Sequence, residues 1–240
     1  MKNRSLSTAL LLAAYATSGL AQSPTAQLPY DDGLSLDYPS ASCGVVVLAS
    51  NGAFKTGFAW QYDGVGSSGV GAFAARIQPP WPGTVCAVSV DFTQTGNDSG
   101  QLIDVFVWED EGPEGDTRPG AVLAMTLGVD VGTAAYWPEV SKHFVAIDGP
   151  CVEGPFWAGF VGNWAGEEAP FYVAADLEMG AGESRTFVGP GLGYPSGWQS
   201  IDTIWEPIGA LGIGANIYGE DCTVNPVIDQ SWGAIRARFR

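Results

Sequence analysis

Residues 85–120 read VCAVSVDFTQTGNDSGQLIDVFVWEDEGPEGDTRPG, and that stretch leaves few folds open. Cys86, Val88, Val90 and Phe92 alternate with Ala87, Ser89 and Asp91. Beyond TQTGNDSG, Ile103, Val105 and Val107 alternate with Leu102, Asp104, Phe106 and Trp108. A period of two, rich in β-branched and aromatic residues, is what a pleated strand with a core-facing side requires. Gly, Asn and Asp supply turn chemistry between the two runs. The stretch therefore predicts a β-hairpin, followed by an acidic turn that Pro119-Gly120 closes.

The same grammar recurs along the chain, at residues 45–49, 57–62, 71–77, 121–129, 140–147, 155–162, 171–175, 185–188 and 209–218. With 33 Gly and 16 Pro in 240 residues, short strands and many turns are expected. This predicts about ten strands and no helix before residue 226. The fold class is all-β: a two-sheet antiparallel β-sandwich, jelly-roll-like, over residues 30–222. No repeat of fixed period is present, which argues against a propeller or β-helix.

The ends read differently. Lys2 and Arg4 precede an apolar run over residues 6–17 and a small-residue Gly19-Leu20-Ala21. That is the pattern of a signal peptide over residues 1–21, too short to span a bilayer, with a polar leader at 22–29. The predicted location is secreted, extracellular or cell-surface. Formal net charge is −16, and removing the leader takes away two basic and no acidic residues. Such a surface repels nucleic acid and anionic membranes. Four cysteines in an exported chain read as two disulfides. Three pairings are open; strand placement favours Cys86–Cys151 with Cys43–Cys222. A zinc site would need CxxC spacing, which is missing.

Residues 223–240 form a linker and tail. After Asn225-Pro226, Trp232, Ile235 and Phe239 recur at i, i+3 and i+7, with Asp229 or Ser231 as N-cap. A short amphipathic helix ending in Arg236, Arg238 and Arg240 is expected. It either docks on its own domain or is recognised by export or attachment machinery.

Several motifs together resemble a known module: Tyr30-Asp31-Asp32-Gly33, Val105-Phe106-Val107-Trp108-Glu109-Asp110, Pro119-Gly120 and Gly154-Pro155-Phe156-Trp157-Ala158-Gly159-Phe160. They are similar to a secreted bacterial β-sandwich surface module of the form YDDG…VWxDDGxxxxPG…GxFYVGW. The closing WGxIxxxFR looks like a short C-terminal tail of large exported bacterial proteins. Ala158 stands where that pattern has Val, and the four cysteines lie outside it. The resemblance implies a non-catalytic extracellular module and carries over no catalytic residue.

Side-chain chemistry points the same way. His143 is the single histidine, placed mid-strand in SKHFVAI with no G-x-S-x-G in the chain, so neither a Ser/His device nor a multi-histidine metal site is expected. Calcium wants six to eight oxygens. Asp31 and Asp32 are weak candidates, and the Glu109 to Asp116 turn lacks the alternating spacing that folds around an ion. Structural calcium is thus the one cofactor in view. Asn97-Asp98-Ser99 is a glycosylation sequon, meaningful in a eukaryotic host.

Nine tryptophans suggest sugar stacking. Trp60, Trp108 and Trp157 fall within strands, as core residues do. Trp137, Trp164, Trp198 and Trp205 sit beside Pro or Gly in predicted loops, where function concentrates. The leading expectation is a non-enzymatic binding or structural module whose partner is an extracellular polysaccharide or surface protein. The alternative is a carboxylate-dependent polysaccharide hydrolase or lyase using Asp176 and Glu178, which share a strand face at i, i+2. Glu167 and Glu168, being adjacent, would point apart.

Overall fold

The computed structural model describes residues 25–27, 43–60, 70–96, 102–163, 171–177, 183–205, 209–219 and 222. Among these the chain forms two sheets. The ten-stranded sheet holds β1 (Thr25–Gln27), β2 (Val45–Leu48), β3 (Thr56–Trp60), β5 (Gly83–Gln94), β12 (Tyr172–Asp176) and β16 (Ile213–Tyr218). Their order is β1-β3-β12-β5-β16-β2. Four short strands branch from it: β8 (Ala135–Tyr136), β9 (Ser141–Ala146) and β10 (Cys151–Val152) on β5, and β15 (Ala210–Leu211) on β12. The six-stranded sheet holds β4 (Val70–Ile77), β6 (Leu102–Glu111), β7 (Arg118–Asp130), β11 (Phe156–Asn163), β13 (Ser184–Val188) and β14 (Gly197–Ser200). Its order is β14-β13-β4-β11-β6-β7. Apart from the parallel β5–β8 contact, the pairings are antiparallel. The all-β, two-sheet sandwich read from the sequence is the observed fold.

Alternation places the core. Val88, Val90 and Phe92 of β5 face Ile103, Val105 and Val107 of β6 and Phe160 of β11 across the sandwich. Phe92 meets Phe160 edge-on, with ring centroids 5.1 Å apart. Trp60 is wholly buried, and its Nε1–H donates to Thr186 Oγ1 at 2.8 Å, so the indole brings no unpaired polar group into the core. Gly159, mid-strand in β11, lies so close to β4 that an added Cβ would strike the Phe73 carbonyl and Ala74 Cα. A Gly159→Ala variant is therefore expected to lose about 1–3 kcal/mol, read as a lower thermal midpoint.

Five expectations are corrected. First, β5 and β6 do not form a hairpin. They lie in different sheets, and the linker between them crosses the sandwich. Alternation fixes which face a side chain takes, not which strand is its neighbour. The hairpin partner of β6 is β7, closed by the acidic turn. Second, the disulfides are Cys43–Cys86 and Cys151–Cys222, with Cα atoms 6.3 and 5.2 Å apart, not Cys86–Cys151 with Cys43–Cys222. Strand order explains it. Cys43 precedes β2, which reaches β5 through β16, and Asn216 Nδ2 donates to the Cys43 carbonyl at 2.8 Å. Cys151 and Tyr218 both pair with Thr84, so the chain just after β16 lies beside β10.

Third, there are sixteen strands among the described residues rather than about ten, because short pieces pair at the margins of β5 and β12. Fourth, a helix does occur before residue 226: α1 (Ile201–Ile204) buries Ile201 and Ile204. Fifth, the expected polar leader contributes β1, which pairs with β3. The signal segment 1–21 and the tail 223–240, with its expected helix, lie outside the described residues. No described helix is long and apolar enough to cross a membrane.

Candidate functional site

The segment between β7 and β9 is an exposed loop held by buried side chains. Its middle, β8, runs parallel to Thr93-Gln94 at the end of β5. Thr93 Oγ1 lies 3.2 Å from the Ala135 carbonyl and 2.8 Å from that of Glu139. Gln94 Nε2 donates to Ala134 O at 2.9 Å, and the Trp137 amide donates to Gln94 O at 2.9 Å. The Ala135 amide donates to Ser141 Oγ at 3.0 Å. Within the loop, the Glu139 amide closes a turn on Tyr136 O at 2.8 Å, and the Trp137-Pro138 peptide is cis.

His143 completes the strapping. Its Nδ1 is 2.7 Å from Val131 O, and a carbonyl only accepts, so Nδ1 carries the proton. In the neutral ring Nε2 then accepts the Ser141 hydroxyl proton at 2.8 Å. Both ring nitrogens are spent on the loop, and the ring packs on Phe92 with centroids 5.5 Å apart. A Ser and a His within reach resemble a nucleophile and its base. Here the pair ties the two ends of a connection together.

What this rigidity presents is Tyr136, 61% exposed at the tip, beside exposed Pro138 and Glu139. Trp137 turns the other way and packs both on the main core and on the cluster of Phe54, Val140 and Ala174. Of the predicted platform residues, Trp137 is thus the anchor of the loop and not its contact surface. Trp198 is half-buried on the outer face of the other sheet, edge-on to Trp108 and Phe187 with centroids 5.5 and 5.6 Å away. Trp205 is corrected outright. It lies in the core, 8% exposed, against Phe58, Trp60 and Phe73, because α1 folds it under the sheet. These three tryptophans therefore form no common platform, and Trp164 is outside the described residues.

Asp176 is fully buried on β12, so it does not line an open groove, and Glu178 lies outside the described residues. Asp31, Asp32, Glu167, Glu168, Trp232, Ile235 and Phe239 are outside them too. Among the described residues no group of three or more His, Cys, Asp or Glu is placed to hold a metal ion. Cys43, Cys86, Cys151 and Cys222 are all in disulfides.

Beside the loop, Asp91 and Lys142 form a buried ion pair at 2.8 Å, with side chains 0% and 2% exposed. Burial pushes the Asp91 carboxyl up from an ordinary 3.8 to about 6, and Lys142 pulls it back only in part. A carboxyl raised on folding adds stability that is full below about pH 3.8 and lost as pH climbs through about 6. The shift corresponds to roughly 3 kcal/mol. The stability of the protein relative to an Asp91→Asn variant is expected to fall by about that much between pH 4 and pH 7 in urea titrations. Parallel curves would contradict it.

A second feature is a cleft of about 480 Å³ at the opposite end of β6, lined by Glu109, Asp110, Glu153, Phe156 and the Cys151–Cys222 bridge. Asp110 is already engaged there. Its Oδ2 accepts from Arg76 at 2.6 and 2.9 Å, and its Oδ1 from Trp157 Nε1 at 2.8 Å. No family model matches the chain, and neither curated proteins nor solved structures give a match.

Proposed function

We propose that this is a secreted, non-enzymatic binding module of an extracellular surface or matrix, and that it recognises a glycan through the loop tipped by Tyr136. The observation that carries the reading is the strapped loop. Thr93, Gln94, Ser141 and His143 fix the backbone around one exposed aromatic ring. A backbone fixed before binding loses little entropy when a ligand stacks on the ring it carries. Tyr136 offers a flat face to a sugar ring, and the neighbouring Glu139 carboxylate accepts from sugar hydroxyls. Two disulfides suit an oxidising compartment outside the cell.

The test incubates the oxidised chain from residue 22 onward with a panel of soluble and insoluble polysaccharides. Bound protein and newly released reducing ends are scored together. Binding without release, weakened at least tenfold by Tyr136→Ala at an unchanged thermal midpoint, is the expected result. Released reducing ends would contradict the non-enzymatic reading, and binding indifferent to Tyr136 would contradict the site.

A further inference from the structure

Asn51 is the one asparagine in the sequence that glycine follows. The loop around it, residues 49–55, is exposed at its tip and fixed at both ends. The Ala49 amide donates to Ile213 O at 3.1 Å, and the Lys55 amide to Ala175 O at 2.9 Å. Between these ties Asn51 is exposed, and its Oδ1 accepts from the Ala53 amide at 2.7 Å. That bond closes an Asx turn, which folds the side chain back over the next peptide. Gly52 follows at φ 82°, with nothing within 4 Å of where a Cβ would sit. Its amide donates no hydrogen bond among the described residues.

We propose that Asn51-Gly52 is a self-modification site, where the chain deamidates without an enzyme and the isoaspartate formed slackens the Tyr136 loop. The Gly52 amide nitrogen, once its proton passes to hydroxide, attacks Asn51 Cγ. The new N–Cγ bond forms, the Cγ–Nδ2 bond breaks, and Nδ2 leaves as ammonia after taking a proton from water. Water then opens the five-membered imide at either carbonyl. One opening gives aspartate, the other isoaspartate, whose main chain runs through Cβ and Cγ. The balance is water in and ammonia out. The turn keeps nucleophile and carbonyl carbon close. The Ala53 N–H already points at the oxygen on which charge develops during attack. With no Cβ on Gly52, the approach is open. Asn216 differs in being fully buried in β16, and Asn163 in being paired along β11.

Isoaspartate adds one main-chain carbon between two fixed ends. Three residues on, Phe54 is 2% exposed and packs with Val140 and Ala174. Its ring lies over Gly212, where a Cβ would meet it at 3.0 Å. Trp137, the anchor of the Tyr136 loop, packs on the same cluster. A close-packed interior transmits a displacement instead of absorbing it. The extra carbon therefore shifts Phe54 and, through Trp137, loosens the loop, whatever that loop binds.

The test ages the full oxidised chain in mildly alkaline buffer at body temperature, followed by peptide mapping and enzymatic methylation of isoaspartate. Asn51 is expected to deamidate at least tenfold faster than Asn163 or Asn216, and no slower than in a synthetic peptide of residues 47–56. Slower reaction in the folded chain than in the peptide would overturn the site. The isoaspartate form, isolated by ion exchange, is then compared with fresh protein by amide hydrogen exchange. Its Trp137 and Glu139 amides are expected to exchange at least tenfold faster, with the centre of β5 unchanged. Fresh Asn51→Asp protein, which carries the charge without the extra carbon, should keep the slow rates. Equal exchange in fresh and isoaspartate protein, or fast exchange in fresh Asn51→Asp, would overturn the link to the loop.

Discussion

Removing both disulfides is expected to leave the protein largely unfolded at room temperature. Cys43–Cys86 and Cys151–Cys222 close spans of 43 and 71 residues. Chain entropy over loops of that size is worth about 4 kcal/mol each, against a total stability of roughly 5–15 kcal/mol for ordinary domains. Both bonds tie a segment at the margin of the ten-stranded sheet to the central region around β5, one at β2 and one at β10. Paired Cys→Ala replacement of either bond should lower the urea midpoint, and the two losses should roughly add because the bonds constrain different segments. A non-reducing peptide map must show the same two linkages. Recovery of Cys86 linked to Cys151 would contradict the strand order as well as the pairing.

The second large effect is Trp60→Ala, expected to cost about 3–5 kcal/mol. The indole is wholly buried, packs edge-on to Trp205 with centroids 5.4 Å apart, and leans on Gly71, where a Cβ would meet its ring. It also bridges the sheets, since its N–H reaches Thr186 on β13. Trp60→Phe separates the two roles. It keeps most of the apolar volume and gives up one hydrogen bond, so its cost should be near 1–2 kcal/mol. Equal losses for the two variants would mean that the hydrogen bond, and not packing, dominates.

Period-two patterning identified most of the long strands because it is local: β4, β5, β6, β11 and β16 each declare their faces in their own residues. Pairing is not local. Nothing in TQTGNDSG distinguishes a turn that returns within one sheet from one that crosses to the other, and the disulfide partners inherited that ambiguity. Apolar residues on both faces of β6 were the available clue, since Phe106 and Trp108 on the second face require cover that an exposed hairpin would lack. The site was harder to read. Thr93, Gln94, Ser141 and His143 look like ordinary strand residues, and only their convergence on the 131–141 loop gives them a shared task. Trp137 reads in sequence as a loop residue beside Pro138, but one tryptophan looks like another there, and nothing in the sequence singles out Tyr136. Burial separates Trp205 in the core from Trp137 at the loop anchor and Trp198 on the outer face.

The central claim is that the loop around Tyr136 is built in advance of any ligand. Amide hydrogen exchange of the free protein tests it most directly. The Ala135, Trp137 and Glu139 amides all donate within the strapping. They should exchange at least about a hundredfold more slowly than in an unstructured peptide, and His143→Ala should speed them while leaving the centre of β5 protected. Loop amides exchanging at free-peptide rates beside a protected β5 would show that Tyr136 is not held in place, and would contradict the account.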